Sequence, residues 1–426
     1  MNRGEDTMAY RDFLLALSSG NIVPLSKQYG SDYISVDTNI KALMNLLNGD
    51  VVAPRYRLFI LNPDDTVKVP IPIEDIISDG NYTENYQNGQ RASLSFTLYN
   101  QNGRYTPTIN QLWANARVRL DAGVEQQDGA IVWAQKGIFV LNNSNPVVQP
   151  GNYTVSFSAD DKFGVLERGP GLLEYAFEVE SGVLISSLVK ELLATQRGDG
   201  YPLDSQEPYF YPSLVDKRTQ AKISKTPGES VGSIILTLAE HMGAEVFYNA
   251  QGRLCFYPLS LVGEDKDKPI LFHYQTETGN LDGLSFSLNY SEIINKVVLV
   301  GSTVNGAVVR ATAQNDDPNS PLSVQKIGTR LSVINDSSIQ NKIVAEENAR
   351  YQLRQKLVLK SSVNLTTPFS PIFGVNNLIL VSDNFFKLEK QPFLIQSVNF
   401  SLNYGGTMSL SVSNIDNLPF TVGQRA

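Results

Sequence analysis

The chain has 426 residues, 42% hydrophobic and 18% charged, with 35 Lys and Arg against 43 Asp and Glu and a formal net charge of −8. That length exceeds one ordinary core and calls for roughly two to four domains, while sparse charge with 19 Tyr and 19 Phe argues against a disordered chain. The acidic balance argues against a sequence-independent nucleic-acid binder, the single cysteine (Cys255) rules out an internal disulfide framework, and no run approaches the ~18 apolar residues of a membrane span.

The first 50 residues are helical in pattern. Tyr10, Phe13, Leu14 and Leu17 fall at i, i+3, i+4, i+7, and Ile40, Leu43, Met44 and Leu47 repeat the spacing. Two readings stand side by side: helices packed on their own neighbouring domain, or an arm that docks on another subunit. The start, Met1 to Asp6, has no apolar stretch of a secretory signal, so synthesis in a cytoplasm is expected.

A β-rich block follows over residues 51–168. Arg55 to Leu61 reads as its first strand, and Pro70 and Pro72 limit the next run to an edge or loop. Ala92 to Leu98 alternates apolar and polar residues, the mark of a strand with one buried face. Asn100 to Gly103 makes a turn. Ala116 to Leu120 is a strand ended by Asp121-Ala122-Gly123. Ile131–Trp133 and Gly137–Leu141 are two short strands, and Tyr153 to Phe163 closes the block. Short strands separated by turn signals suggest a sandwich or barrel.

Residues 169–275 have a different grammar. Gly169-Pro170-Gly171 breaks the chain, and helices are predicted over Val183–Gln196 and Glu229–Met242. Gly243 stands where a helix-ending residue would. Ala244–Tyr248 and Arg253–Tyr257 read as a hairpin around Asn249 to Gly252.

Residues 276–426 return to strands: Leu284–Tyr290, Ile294–Gly301, Phe393–Leu402 and Thr407–Ile415, with one helix over Ser338–Leu357. Phe286 to Tyr290 recurs identically at Phe400 to Tyr404, and Val155 to Asp160 parallels Leu410 to Asp416. These echoes suggest an internal duplication.

The ordered set "RASLSFTLYNQNGRYTP", "WANARVRLDAG", "WAQKGIFVLNN", "YTVSFSADDKFGVLE" resembles the first barrel of tail hub proteins from phages of Gram-positive hosts. "LAEHMGAEVFYNAQGRLCFYP" is similar to the middle domain of that baseplate and tail-tip hub family, and "IINKVVLVGS", "SPLSVQKIGTR" and "AEENARYQLRQKL" to its second barrel. The resemblance covers Arg55 to Ile415. It implies a mainly β fold: two tail-tube-like β-barrels joined by an α+β middle domain, beside the helical N-terminal segment, which the family pattern does not contain. It further implies a virion structural protein, a homotrimer whose six barrels form a pseudo-hexameric ring. That ring would join the hexameric tail tube or a distal tail protein to a central spike or tip, contact other baseplate proteins, and pass DNA during ejection. The chain ends soon after the second barrel, so a cell-wall-cleaving or receptor-binding module is expected on a partner.

Chemistry-bearing patterns are sparse. His241 and His273 are the two histidines, and with Cys255 they show no metal-ligand spacing. There is no Gly-x-Ser-x-Gly elbow and no phosphate-binding P-loop. Each histidine reads as a satisfied structural residue and Cys255 as a buried thiol. Asp160-Asp161 is the most visible carboxylate pair, but adjacent strand residues point to opposite faces. Trp113 and Trp133 read as core or interface residues. No catalytic, cofactor-binding or metal site is assigned, and the chain is expected not to be an enzyme. The competing readings are a tail-associated cell-wall hydrolase and a carbohydrate-binding adhesin.

Overall fold

The computed structural model describes residues 53–106, 112–125, 129–149, 151–196, 200–259, 270–288, 293–304, 306–320, 322–403 and 405–414. The helices expected within residues 1–50 lie outside these residues.

The first part runs β1 (Ala53–Leu61), β2 (Val67–Pro70), β3 (Ile76–Asn85), β4 (Ala92–Tyr99), β5 (Arg117–Glu125), β6 (Ile131–Gln149) and β7 (Asn152–Asp161). The middle part contains α1 (Phe163–Glu167), β8 (Phe177–Val179), α2 (Ile185–Ala194), β9 (Tyr209–Phe210), β10 (Ile223–Lys225), α3 (Val231–Met242), β11 (Ala244–Tyr248) and β12 (Leu254–Pro258). The last part holds β13 (Ile270–Gln275), β14 (Gly283–Leu288), β15 (Lys296–Val304), β16 (Ala307–Gln314), α4 (Val324–Ile327) and β17 (Leu331–Asn335). It ends with α5 (Lys342–Lys360), β18 (Ser361–Pro368), β19 (Leu378–Asp383), β20 (Leu388–Ser401) and β21 (Thr407–Asn414).

The mainly β expectation holds, and the pairing adds a repeat. The first part pairs in the order β3-β4-β7-β6-β5-β1 and the last part in the order β14-β18-β21-β20-β19-β13. These are one topology used twice. The repeats differ at their outer strand: β1 runs antiparallel to β5, and β13 parallel to β19. Strand β20 pairs with β3, so both repeats belong to one 13-stranded sheet. Among the described residues the pairing path stays open and closes into no ring.

Two elements differ from the sequence expectation. The strand expected to end at Asp121 runs on to Glu125, with a bulge between Leu120 and Asp121. Arg57 and Arg119 pair with the Asp121 carboxylate, which lets an acidic residue sit inside a strand. The two short strands at Ile131–Trp133 and Gly137–Leu141 are one strand, β6, that continues to Gln149.

Period-two patterning builds the main core. Leu94, Phe96 and Leu98 of β4 are buried, and Phe96 stacks on Phe157 of β7 at 5.2 Å. Each such side chain contributes about 1.5–3 kcal/mol by leaving water. The sheet folds over so that Tyr56 of β1 lies 5.9 Å from Phe400 of β20 and 5.6 Å from Phe369. One apolar cluster thus takes in both repeats.

Two further cores are separate. In the middle part α1, α2 and α3 pack with β11 and β12. Ser230 caps α3 by accepting from the Ser233 N–H at 3.1 Å, and Gly243 ends it in the left-handed region at φ 64°. The third core lies between α5 and the sheet β16-β15-β17. This unit occupies the connection from β14 to β18, where the first repeat spans β3 to β4 with a short link.

Candidate functional site: a neutral polar sheet face with two open edges

The strands that bury apolar residues on one side carry Ser, Thr and Asn on the other. Register places these in rows across both repeats. One row reads Thr366, Ser409, Asn399, Thr83, Ser93 and another Ser401, Asn81, Ser95, Ser158, Asn143. All are half-buried or exposed and uncharged, and the first row ends beyond Ser93 at one charged residue, Asp160, which is paired with Arg168. Side chains link within the face: Asn399 Nδ2 donates to Thr83 Oγ1 at 3.1 Å, and Thr97 and Ser156 hydroxyls lie 2.9 Å apart. Hydroxyls and amides hold water well, but they offer a polyanion no cation with which to release its counterions.

Among the described residues the sheet leaves two edges of this face open. Strand β5 pairs with β6 only as far as Val140, so Asn143–Gln149 pair with β7 alone. At the other end, among the described residues, β14 pairs only with β18. A row of unpaired backbone donors and acceptors is a template for another strand. Of the other outer strands, β13 pairs with β19, and β2 carries Lys68 and Pro70, which blunt it.

Buried charges fasten the first repeat to the middle part. Lys162 Nζ donates to Asp65, Asp204 and the Gly252 carbonyl, each at 2.7 Å. Arg117 Nη1 donates to Asp65 at 2.6 Å, and the Tyr248 hydroxyl to Asp204 at 2.8 Å. Burial works to raise the Asp65 carboxyl, but Lys162 and Arg117 outweigh it and hold it below the usual carboxylate range. Nearby, Arg91 pairs with Glu245 at 2.8 Å and lies 3.8 Å over the Phe247 ring. Lys136 donates to the Phe373 carbonyl at 2.8 Å, tying β6 to the second repeat, and burial lowers its pKa. Lys136, Arg91, Glu84 and Asp161 border a cavity of about 70 Å³, room for a few waters and too small for a sugar ring.

The residues that sequence reading singled out are scattered. Asp160 and Asp161 do point apart. Asp160 is half-buried and pairs with Arg168 and Asn142. Asp161 is buried and accepts from the Arg91, Ala92 and Phe163 N–H groups. Burial pushes it up to about 7 although those amides favour the carboxylate. Cys255 is buried in β12. His273 bonds to the Ser382 hydroxyl at 2.8 Å. His241 departs from the expected satisfied histidine: its Nδ1 accepts from the Gln220 N–H at 3.4 Å, but its buried Nε2 has no partner. Burial lowers its pKa. Trp113 is 56% exposed, and Trp133 lies 4.3 Å under Arg57. Among the described residues no three His, Cys, Asp or Glu side chains converge as a metal set. Sequence reading saw the polar side of β4 alone, although Ser, Thr or Asn at every second position is also present in β7, β14, β18, β21 and the end of β20.

No protein-family model and no curated protein matches the sequence. The structure is similar to the tail protein from Neisseria meningitidis MC58, at 12% identity and a TM-score of 0.59, covering 85% of this chain and 97% of that one. It is also similar to the 43 kDa tail protein of prophage MuSo2 from Shewanella oneidensis, at 15% identity and a TM-score of 0.53, covering 86% and 99%. The chain has a phage tail-protein fold. A chain of the Francisella PdpA–VgrG complex shares this tail-protein fold at 10% identity and a TM-score of 0.51, covering 98% of this chain and 64% of that one.

Proposed function

We propose that this chain is a structural hub of a phage tail, in which three copies close a ring of six tube-like repeats. The observation that carries the reading is the repeat itself. One six-strand topology occurs twice, the two copies join edge to edge through β20 and β3, and equivalent edges remain open at both ends. A heterologous contact closes a ring when its repeated rotation returns to the start, which three copies with six equivalent junctions would do.

In this reading the repeats are the units 53–168 and 270–414, the second beginning at Ile270 because β13 pairs with β19. The middle unit between them is held to the first repeat by Lys162, Asp65 and Asp204. The ring continues a hexameric tail tube, meets a central spike or tip and other baseplate proteins, and resides in the virion. Its polar face, poor in charge and without a row of cations, lines the channel, where DNA passes without being gripped. The role is architectural rather than catalytic, and it rests on interfaces.

Electron-microscope class averages with sedimentation across a concentration series test this. Threefold rings with a central hole, near three times the 47.0 kDa chain mass, are expected. A monomer at every concentration, alone and co-expressed with its tail tube protein, would overturn it.

A further inference from the structure

The two open edges of the polar face are not independent features. The chain contains, between β20 and β3, a finished example of the junction they lack.

The equivalence can be followed residue by residue. The β6–β7 pairing shifts register between Leu141 and Asn143, and the β20–β21 pairing shifts between Ile395 and Ser397. Matching the two bulges sets Asn143 against Ser397 and Ser158 against Ser411, so that Val147 takes the place of Ser401. On the other side, Asn81 faces Ser95, which faces Ser158, while Ser285 faces Asn364, which faces Ser411. Ser285 therefore takes the place of Asn81. The sequences agree with this alignment: Tyr82-Thr83-Glu84-Asn85-Tyr86 stands against Phe286-Ser287-Leu288-Asn289-Tyr290.

We propose that the free half of β6 in one copy pairs antiparallel with β14 of the next copy, in the register that β20 and β3 use within one chain. The inference rests on the ring reading above and gives it a residue-level contact. Within the chain Ser401 faces Asn81; between copies Val147 faces Ser285. The free half of β6 also leaves apolar surface uncovered: Val148 is 75% exposed, and Tyr153 opposite it is 44% exposed. A neighbouring strand covers that surface.

The copied junction differs at one position. Leu402 N–H donates to the Gly80 carbonyl at 2.7 Å, and alternation along the strand aims the Phe400 N–H at β3 as well. The residue of β6 at that place is Pro146, which has no N–H to give. The contact between copies therefore has one hydrogen bond fewer than the internal one. The same proline guards the edge of a free chain against indiscriminate strand pairing.

The pair Ser401–Asn81 is of the non-hydrogen-bonded kind, whose Cα atoms stand about 4.5 Å apart, within the range that a disulfide spans. The test is a full-length Val147→Cys, Ser285→Cys double variant, oxidised mildly and run on a non-reducing gel. Val147 is half-buried and Ser285 exposed, so each single variant should melt as wild type does. Covalent dimers and trimers are expected from the double variant, and monomers from each single variant. Val147→Cys with Gly283→Cys, two residues out of register, should yield little product. Rings seen by microscopy without the 147–285 cross-link would overturn the strand pairing and leave the ring standing. A stronger product from 147–283 would overturn the register. A chain that never forms rings would overturn both.

Discussion

At the scale of single residues, the buried charges are where the molecule is most exposed to damage. Lys162 is almost fully buried and neutralises Asp65 and Asp204 together. Lys162→Met would keep most of the volume and leave both carboxylates short of their shared cation. Breaking a buried pair from one side costs about 3–5 kcal/mol, so a comparable loss is expected in urea or thermal unfolding. Its effect should centre on the union of the first repeat with the middle part, since Asp65 lies between β1 and β2 and Asp204 between α2 and β9. None of this was visible in sequence. Asp65, Lys162 and Asp204 are widely separated along the chain, and each looks like an ordinary loop or strand-end residue until the fold removes water from around it.

At the scale of elements, local pattern predicted most of what formed. The Ser230 cap, the apolar stripe of α3 and Gly243 after it describe one helix completely. Gly243→Ala tests the stop. A Cβ in the left-handed region costs about 1–2 kcal/mol, and here it would also meet Glu347 Oε2 at 2.7 Å. A thermal melt should show at least that loss, and more unless the α5 side chain turns away. Where elements were misread, partners decided. Asp121 looked like a strand terminus because its two arginines were unknown. The polar far half of β6 fell outside the expected strand because its pairing with β7, rather than a buried face, makes it one.

At the scale of the whole molecule, the rows of Ser, Thr and Asn cross both repeats and meet one charged residue, Asp160, which pairs with Arg168. The chain carries a net charge of −8, yet little of that charge falls on these rows. Ser95→Lys and Asn399→Lys probe the face directly. Both positions are exposed, so stability should change by no more than about 0.5 kcal/mol. Assembled rings carrying both lysines should retain double-stranded DNA at low salt and release it as salt rises, as counterion release requires. Wild-type rings should retain none in the same mobility-shift assay.

What the sequence determined by itself was local: which stretches alternate with period two, which with the helical period, and where Gly, Pro and Asn interrupt them. Its likeness to tail hubs also pointed to the fold found here. It suggested a duplication too, through two echoes: Val155–Asp160 with Leu410 onward falls on the equivalent strands β7 and β21, whereas the identical Phe286–Tyr290 and Phe400–Tyr404 begin on strands that are not equivalent, β14 and β20. The counterpart of Phe286–Tyr290 in the first repeat is Tyr82–Tyr86, with fewer identical residues. Only the tertiary structure could separate these, because a strand's neighbours are set by where distant parts of the chain return, not by its own composition. The same holds for the open edges. An edge is a strand whose second partner is missing, and that is a property of the finished sheet.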